Sequence, residues 1–363
     1  MSRINVTKSL LPDRTLFYEY LDKILDSGWL TNRGDFVRQL EDELSDYLSI
    51  RNVVLVNNGT SGLQVAIKAL NLQGRIISSP FTFIATASAA KWEGLDVDFA
   101  DIEPETFTIS VPDAEAKLTD TTSAIMPVHV YGNPCDVEAI DAFAKSNQMY
   151  AIYDAAHAFG VKYKGASVLR WGDISVLSFH ATKVFHTIEG GALVTEDDGL
   201  CAELRKIINF GITGPESIER LGINAKMNEI QAAMGLCLLR QMDSVISRRQ
   251  EIAEIYELFL SGHVDFQKMR DGATQNYGYF PIRLRSESEV RDIQRVLNEK
   301  EIYPRRYFYP SLDSLKFLES ESYCSTARDT ADRILCLPIY PELSNNDCKK
   351  VAKIILRELG QLR

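Results

Sequence analysis

Residues 53–70, VVLVNNGTSGLQVAIKAL, leave this chain few folds to choose from. Val53–Val56 is a short, unbroken apolar run, the pattern of a strand buried on both faces. Asn58-Gly59-Thr60-Ser61 interrupts it, and Leu63, Ala66, Ile67 and Leu70 then recur at helical spacing. The same cadence continues through Ile76-Ile77, Val97-Asp98-Phe99, Ala124-Ile125-Met126 and Tyr150-Ala151-Ile152-Tyr153, with residues 137–149 helical before the last. Strand-like runs at this spacing predict βαβ units and an α/β fold. Ligands of open α/β sheets gather beyond the carboxyl ends of the strands, which is where Phe83, His129 and Asp154 fall. Thr60 and Ser61 stand where free amides and hydroxyls at a helix N-terminus face an anion such as phosphate. A capped helix without a ligand fits the same residues. No G-x-G-x-x-G follows a strand, which argues against a nicotinamide-binding half.

A second stretch, ISVLSFHATKVFHTIEGGALVT at 174–195, holds two apolar runs separated by a Gly turn, which suggests adjacent strands. Lys183 lies on the irregular segment that joins them. A lysine in such a loop is ordinarily solvated. Here, however, Ser178 precedes it and could hold a phosphate, and Gly190-Gly191 follow and let backbone approach a ligand. A lysine desolvated in a pocket has a lowered pKa and can form a Schiff base with a carbonyl. The reading is a pyridoxal-phosphate lysine.

The whole chain limits the alternatives. Its 363 residues suffice for two domains, and a net charge of -10 argues against a general nucleic-acid surface. The six cysteines form no C-x-x-C pair, so buried free thiols are expected. Four of the five histidines (His129, His157, His180, His186) fall within one segment, but without H-E-x-x-H or similar spacing, and no metal is expected. The N-terminal residues lack a signal-peptide core and no run spans a bilayer, so a cytoplasmic protein without membrane contact is expected. Helices are predicted over 13–27, through Phe36, Leu40, Leu44 and Tyr47, from Thr195 to Asn209, and as one long element from Asn228 to about Leu260. Residues 277–285 read as a strand, Ser286 and Glu289 as a capping box, and Ser344 as the cap of a last helix. A small α+β domain from about 245 to the end is the simplest parse.

Eight segments in order then resemble the DegT/DnrJ/EryC1/StrS sugar aminotransferase family, a branch of the fold-type I pyridoxal-phosphate enzymes. They are SGWLTNRG (27–34), NNGTSGLQVAIKAL (57–70), SPFTFIAT (79–86), PVHVYGNPCDVEAI (127–140), YDAAHAFGVKYKG (153–165), SFHATKVFHTIEGGA (178–192), GINAKMNEIQAAMGL (222–236) and LCLPIYPEL (335–343). The resemblance implies a large three-layer α/β/α domain over 1–244 and a small α+β domain over 245–363. It implies pyridoxal 5'-phosphate as cofactor, with pyridoxamine phosphate between two half-reactions. Lys183 would be the Schiff-base lysine and Asp154 the partner of the ring nitrogen, where an ordinary strand-end carboxylate would otherwise be read. Thr60, Ser61 and Ser178 would hold the phosphate, Phe83 would stack on the ring, and His157 would stand beside the ring hydroxyl where many members carry Gln. Asn224 would reach the phosphate from a neighbouring subunit, making a homodimer with shared sites. Thr31, His129, His180 and Arg305 would lie on the substrate side.

Relatives that remove a hydroxyl group replace the lysine with His; Lys183 favours transamination. FHATKVFHTIEGGA with DAAHAFG resembles members that aminate carbon 4 of dTDP-4-keto-6-deoxyglucose, with glutamate as donor. The implied product is dTDP-4-amino-4,6-dideoxy-D-glucose, an amino sugar of the kind that enters lipopolysaccharide O-antigen and other surface polysaccharides. A 3-aminotransferase, a dehydratase on the same scaffold and a non-catalytic sensor are the other readings.

Overall fold

The computed structural model describes residues 3–361. Among them, seven strands form one sheet: β1 (Asn52–Val56), β2 (Arg75–Ser78), β3 (Asp96–Phe99), β4 (Thr122–Met126), β5 (Tyr150–Asp154), β6 (Ile174–Ser178) and β7 (Gly191–Thr195). Their order across the sheet is β1-β7-β6-β5-β4-β2-β3. β6, β5, β4, β2 and β3 run parallel, and β7 runs antiparallel to both its neighbours. Gly191, where β7 begins, pairs with Val56 on one side and Ser178 on the other. The reversed strand therefore brings the ends of β1 and β6 and the loop before β7 to one edge of the sheet.

Alternation along β1 divides the core. Val53 and Leu55 face a cluster with Leu40, Leu44 and Leu236, whereas Val54 and Val56 face another with Leu63, Ala66 and Leu204. Helices on both faces of a mostly parallel sheet make three layers, as expected. A third cluster joins the Met242–Leu260, Glu287–Glu299 and Asn345–Glu358 helices to the short sheet of residues 265–266, 281–283 and 334–336. Phe308, Leu312, Leu318 and Cys324 instead pack into the cluster on the large sheet. The chain beyond residue 245 is thus anchored in both bodies.

Side chains cap helix starts, with Ser286 and Ser344 at the predicted positions and Asp13 in addition. Asp13 accepts from the Leu16 amide at 2.9 Å, and Ser344 from the Asp347 amide at 3.1 Å. Ser286 accepts from the Glu289 amide, but Glu289 reaches back to the amide of Arg285, one residue before the cap. Two expectations need correction. The long element from 228 is two helices, Glu229–Leu239 and Met242–Leu260, because the first is buried on nearly all sides and the second only along one stripe. The strand expected over 277–285 narrows to Pro281–Arg283: ahead of it Tyr277 packs on the third cluster while Tyr279 packs on the large sheet. All six cysteines are buried and unpaired. Among the described residues no helix is long and apolar enough to cross a membrane.

Candidate active site

A cavity of about 290 Å³ opens at the sheet edge described above. Asn58, Gly59 and Thr60 line it from the first turn of the Gly59–Ala69 helix, and Ser178 from the end of β6. Asn58 caps that turn through the Ser61 amide at 2.8 Å. With the remaining amides of the turn, Thr60 and Ser178 bring to this end of the cavity the donor types that an anion cradle needs. Ser61 does not line the cavity, and its single hydroxyl proton is shared between Asn57 Oδ1 and the Asn58 carbonyl. The cradle is close-fitting, for a Cβ on Gly59 would lie 3.1 Å from Ser178 Cβ.

Asp154 ends β5 on the cavity wall, buried. Its Oδ2 accepts from Thr86 Oγ1 at 2.7 Å and its Oδ1 from the Ala156 amide at 3.1 Å. Burial raises its pKa, and both hydrogen bonds and the Lys183 charge oppose that shift. Its surroundings suit a carboxylate that meets a cation. Across the cavity, Lys183 Nζ donates to Tyr279 Oη at 3.1 Å. Burial pulls the amine down to about 8, against the attraction of Asp154. An amine so placed is partly neutral at ordinary pH and can act as nucleophile or base.

Aromatic residues supply the remaining walls. Phe83 lines the cavity with more than half its surface exposed, offering a face for a ring. His157 is buried and stacks on Phe308 at 5.5 Å. Its Nδ1 accepts from the Tyr131 amide at 3.2 Å, which puts the proton on Nε2, and burial holds its pKa well below the usual histidine value. His180 stands on the exposed side of the lining, its Nδ1 2.8 Å from Thr182 Oγ1 and its Nε2 3.5 Å from Glu189 Oε1.

Lys183, Asp154, Thr60, Phe83, His157, Ser178 and His180 are thus brought together. Five expected residues do not line the cavity, Ser61 and four others. His129 is fully buried, stacked on Tyr153 at 4.7 Å with Nδ1 on the Cys135 amide, and touches no part of the cavity. This corrects its expected place on the substrate side; the ring is held inward by the Tyr153 stacking and the Cys135 amide. Arg305 is exposed and exchanges backbone hydrogen bonds with Cys336. Thr31 and Asn224 are exposed and outside the cavity of their own chain. Sequence reasoning missed Thr86, Tyr279, Tyr307 and Phe308, all at the site. Thr86 lies within SPFTFIAT and could have been found one helical turn from Phe83; the aromatic residues gave no local signal.

The donor set fits pyridoxal 5'-phosphate: an anion cradle, a buried carboxylate, an exposed ring face and a depressed lysine share one cavity of suitable size.

The family model described as the DegT/DnrJ/EryC1/StrS aminotransferase family matches residues 13–356. A dTDP-4-amino-4,6-dideoxy-D-glucose transaminase of Shigella dysenteriae is 38% identical over 359 residues, covering 97% of this chain and 98% of the relative. A GDP-perosamine synthase of Escherichia coli O157:H7 is 36% identical over 331 residues, covering 90% and 91%. Among solved structures, DesI in the presence of its TDP-sugar product superposes with a TM-score of 0.94 at 33% identity, covering 99% of this chain and 94% of DesI.

Proposed function

Because the chain belongs to the DegT/DnrJ/EryC1/StrS aminotransferase family, and so is a pyridoxal-phosphate-dependent sugar aminotransferase, we propose that it transfers the amino group of glutamate to dTDP-4-keto-6-deoxy-D-glucose, giving dTDP-4-amino-4,6-dideoxy-D-glucose. The observation that carries this reading is the Lys183 amine, depressed by burial and facing the same cavity as Asp154. The names of the transaminase and perosamine synthase relatives support a 4-keto sugar nucleotide as acceptor.

When bound, the cofactor supplies a carbonyl for an amine and a ring that accepts an electron pair from the substrate carbon. The chain supplies the rest. Thr60, Ser178 and the first-turn amides of the Gly59 helix would hold the phosphate, and Asp154 would keep the ring nitrogen protonated. Phe83 would cover one ring face, and His157 would donate its Nε2 proton to the ring hydroxyl. The Lys183 amine would act as the base that takes the proton from the donor's α-carbon and, once protonated, as the acid that gives it back. Glutamate leaves as 2-oxoglutarate, and the sugar runs the same steps in reverse, so ping-pong kinetics are expected.

A homodimer completes this reading. Trp29, Leu30, Ile188, Phe210, Ile218, Leu221, Ile223 and Ile230 are large apolar residues left exposed. Their segments adjoin: the Glu229 amide donates to the Leu30 carbonyl, Gln231 to that of Glu189, and the Phe210 amide to that of Ile223. Such a patch fits a second copy of the chain, and Asn224 within it would reach the partner's phosphate cradle. The division into a large unit (1–244) and a small unit (245–363) that closes the cavity belongs to the same proposal.

The test is one incubation of purified protein with glutamate and the keto sugar, the product identified by mass and NMR, with Lys183→Ala alongside. A 4-amino-4,6-dideoxy sugar from wild type alone is expected. Formation of 2-oxoglutarate without that product would move the acceptor to another keto sugar, including a 3-keto one. Loss of water without amine gain would indicate a dehydratase, and no half-reaction a sensor.

A further inference from the structure

Arg249 carries a charge that stability alone does not account for. It sits on the Met242–Leu260 helix with 2% of its surface exposed. Among the described residues no carboxylate pairs with it. Its Nη1 donates to the carbonyls of Ile339 at 3.0 Å and Tyr277 at 3.2 Å, with that of Gly278 at 3.5 Å, and its Nε has no partner. A guanidinium taken from water without a counter-ion is destabilising, and an apolar side chain of similar volume would fill the space at less cost. Burial pulls its pKa down to about 10, against the weaker attraction of Tyr279 and of Glu342, whose carboxylate forms no ion pair with it.

Two of the three carbonyls it holds belong to the residues just before Tyr279. Tyr277 has φ +52°, a left-handed conformation that a bulky side chain rarely adopts. The same turn is gripped from the opposite side. Asn276 Nδ2 donates to the carbonyls of His157 at 2.8 Å and Phe159 at 2.9 Å, while its Oδ1 accepts from the Gly278 amide at 3.0 Å. Out of this doubly held turn comes Tyr279, whose hydroxyl receives Lys183 Nζ and whose ring lies 4.8 Å from that of His157.

We propose that Arg249 is a positioning residue: by fixing the turn at Tyr277 and Gly278 it sets the Tyr279 hydroxyl against the Lys183 amine. The inference rests on Lys183 being the amine that takes the cofactor. It assigns the buried charge a task that neither Met nor Lys can perform. Met offers no donor, and a lysine ammonium, one bond shorter along the side chain, falls short of the point from which Nη1 serves carbonyls of two separate segments.

The test uses cofactor-loaded Arg249→Lys, Arg249→Met, Tyr279→Phe and the Arg249→Met/Tyr279→Phe double variant. Two quantities are read: the single-turnover rate of the glutamate half-reaction, and the pH midpoint of the bound cofactor's absorbance. Each single variant is expected to slow the half-reaction about tenfold or more, the scale of a mispositioned reacting group. Each should also move the spectral midpoint in the direction that Tyr279→Phe moves it, and the double variant should lose no more than the worse single. A folded Arg249→Lys protein with the wild-type rate and midpoint would overturn the proposal, as would additive losses in the double variant. If Arg249→Met does not fold, Arg249→Lys against Tyr279→Phe decides. A wild type that binds cofactor but converts no glutamate would sink the functional reading instead, and the midpoints would still decide the role of Arg249.

Discussion

The amine of Lys183 sits near the middle of its titration at ordinary pH because burial disfavours its charged form more than Asp154 restores it. With a pKa of about 8, about a tenth of it is neutral at pH 7 and about nine-tenths at pH 9. Capture of pyridoxal phosphate by the apoprotein should therefore accelerate roughly tenfold over that interval and level off above it. Stopped-flow absorbance checks this; a rate still climbing tenfold per pH unit beyond pH 9 would mean a lysine with its ordinary pKa. Lys183→Ala should lower 2-oxoglutarate formation by about 10³-fold or more, the usual scale for loss of a positioned acid-base group. His157 makes a different prediction. Its Nδ1 is an acceptor for a backbone amide and its burial opposes charge, so it should stay neutral with the proton on Nε2 throughout pH 6–8. Nitrogen chemical shifts of labelled histidine read this directly, and a titration of His157 near its unperturbed pKa would refute the tautomer.

At the scale of elements, the legible part of the molecule is the part whose signals are local. β1, its polar turn and the following helix could be read from 53–70 because period, breaker and cap lie within one short segment. Lys183, Asp154, Ser178 and Thr60 were readable for the same reason: each stands at or just beyond a strand end. What could not be read depends on distant partners. Tyr279 meets Lys183 across a sequence separation of 96 residues, and it reaches the cavity only because its segment leaves the strand early. His129 showed the converse: a strand-end position does not reveal which way a side chain turns. The Asp35–Leu48 helix makes the point energetically. Gly34 offers no capping side chain, and the carboxylate of Glu229, far along the sequence, accepts the Gly34 and Phe36 amides at 2.8 Å each. Glu229→Ala leaves both donors unmet and should cost about 1–3 kcal/mol, measured by chemical denaturation. A loss below a few tenths would show that water replaces the carboxylate. The close approach at the cradle is a second elemental constraint. A Cβ on Gly191 would lie 2.7 Å from the Leu177 carbonyl and 3.0 Å from Gly59 N. Gly191→Ala should push the phosphate-binding turn outward and raise the dissociation constant for pyridoxal phosphate, with about 1–3 kcal/mol of stability lost to overpacking.

For the whole molecule, the decisive matter is what covers the apolar surface around residues 210–230. Leu221 and Ile218 are each 73% exposed, and with Phe210 and Ile223 they flank Asn224 beside the cavity loop that carries Ile188. A monomer has no use for so many large apolar groups on adjoining segments, whereas a twofold-related copy would bury them and carry Asn224, which does not line the cavity of its own chain, toward the partner's cradle. Thr31, exposed on the neighbouring turn, would be carried into the same partner site. Analytical ultracentrifugation should therefore show a dimer for wild type, and Leu221→Asp with Ile223→Asp should raise its dissociation constant at least about tenfold, since charge placed at a desolvated interface is strongly unfavourable. The substituted positions are exposed and leave the three cores untouched, so the thermal transition of each subunit should survive while cofactor retention and 2-oxoglutarate formation fall with the fraction of monomer. Asn224→Ala should separate the two effects, keeping the dimer intact but weakening retention of the cofactor. A substituted protein that sediments as a monomer and still turns over glutamate at the wild-type rate would show that each cavity is complete in one chain, and that the exposed apolar surface serves something other than the reaction.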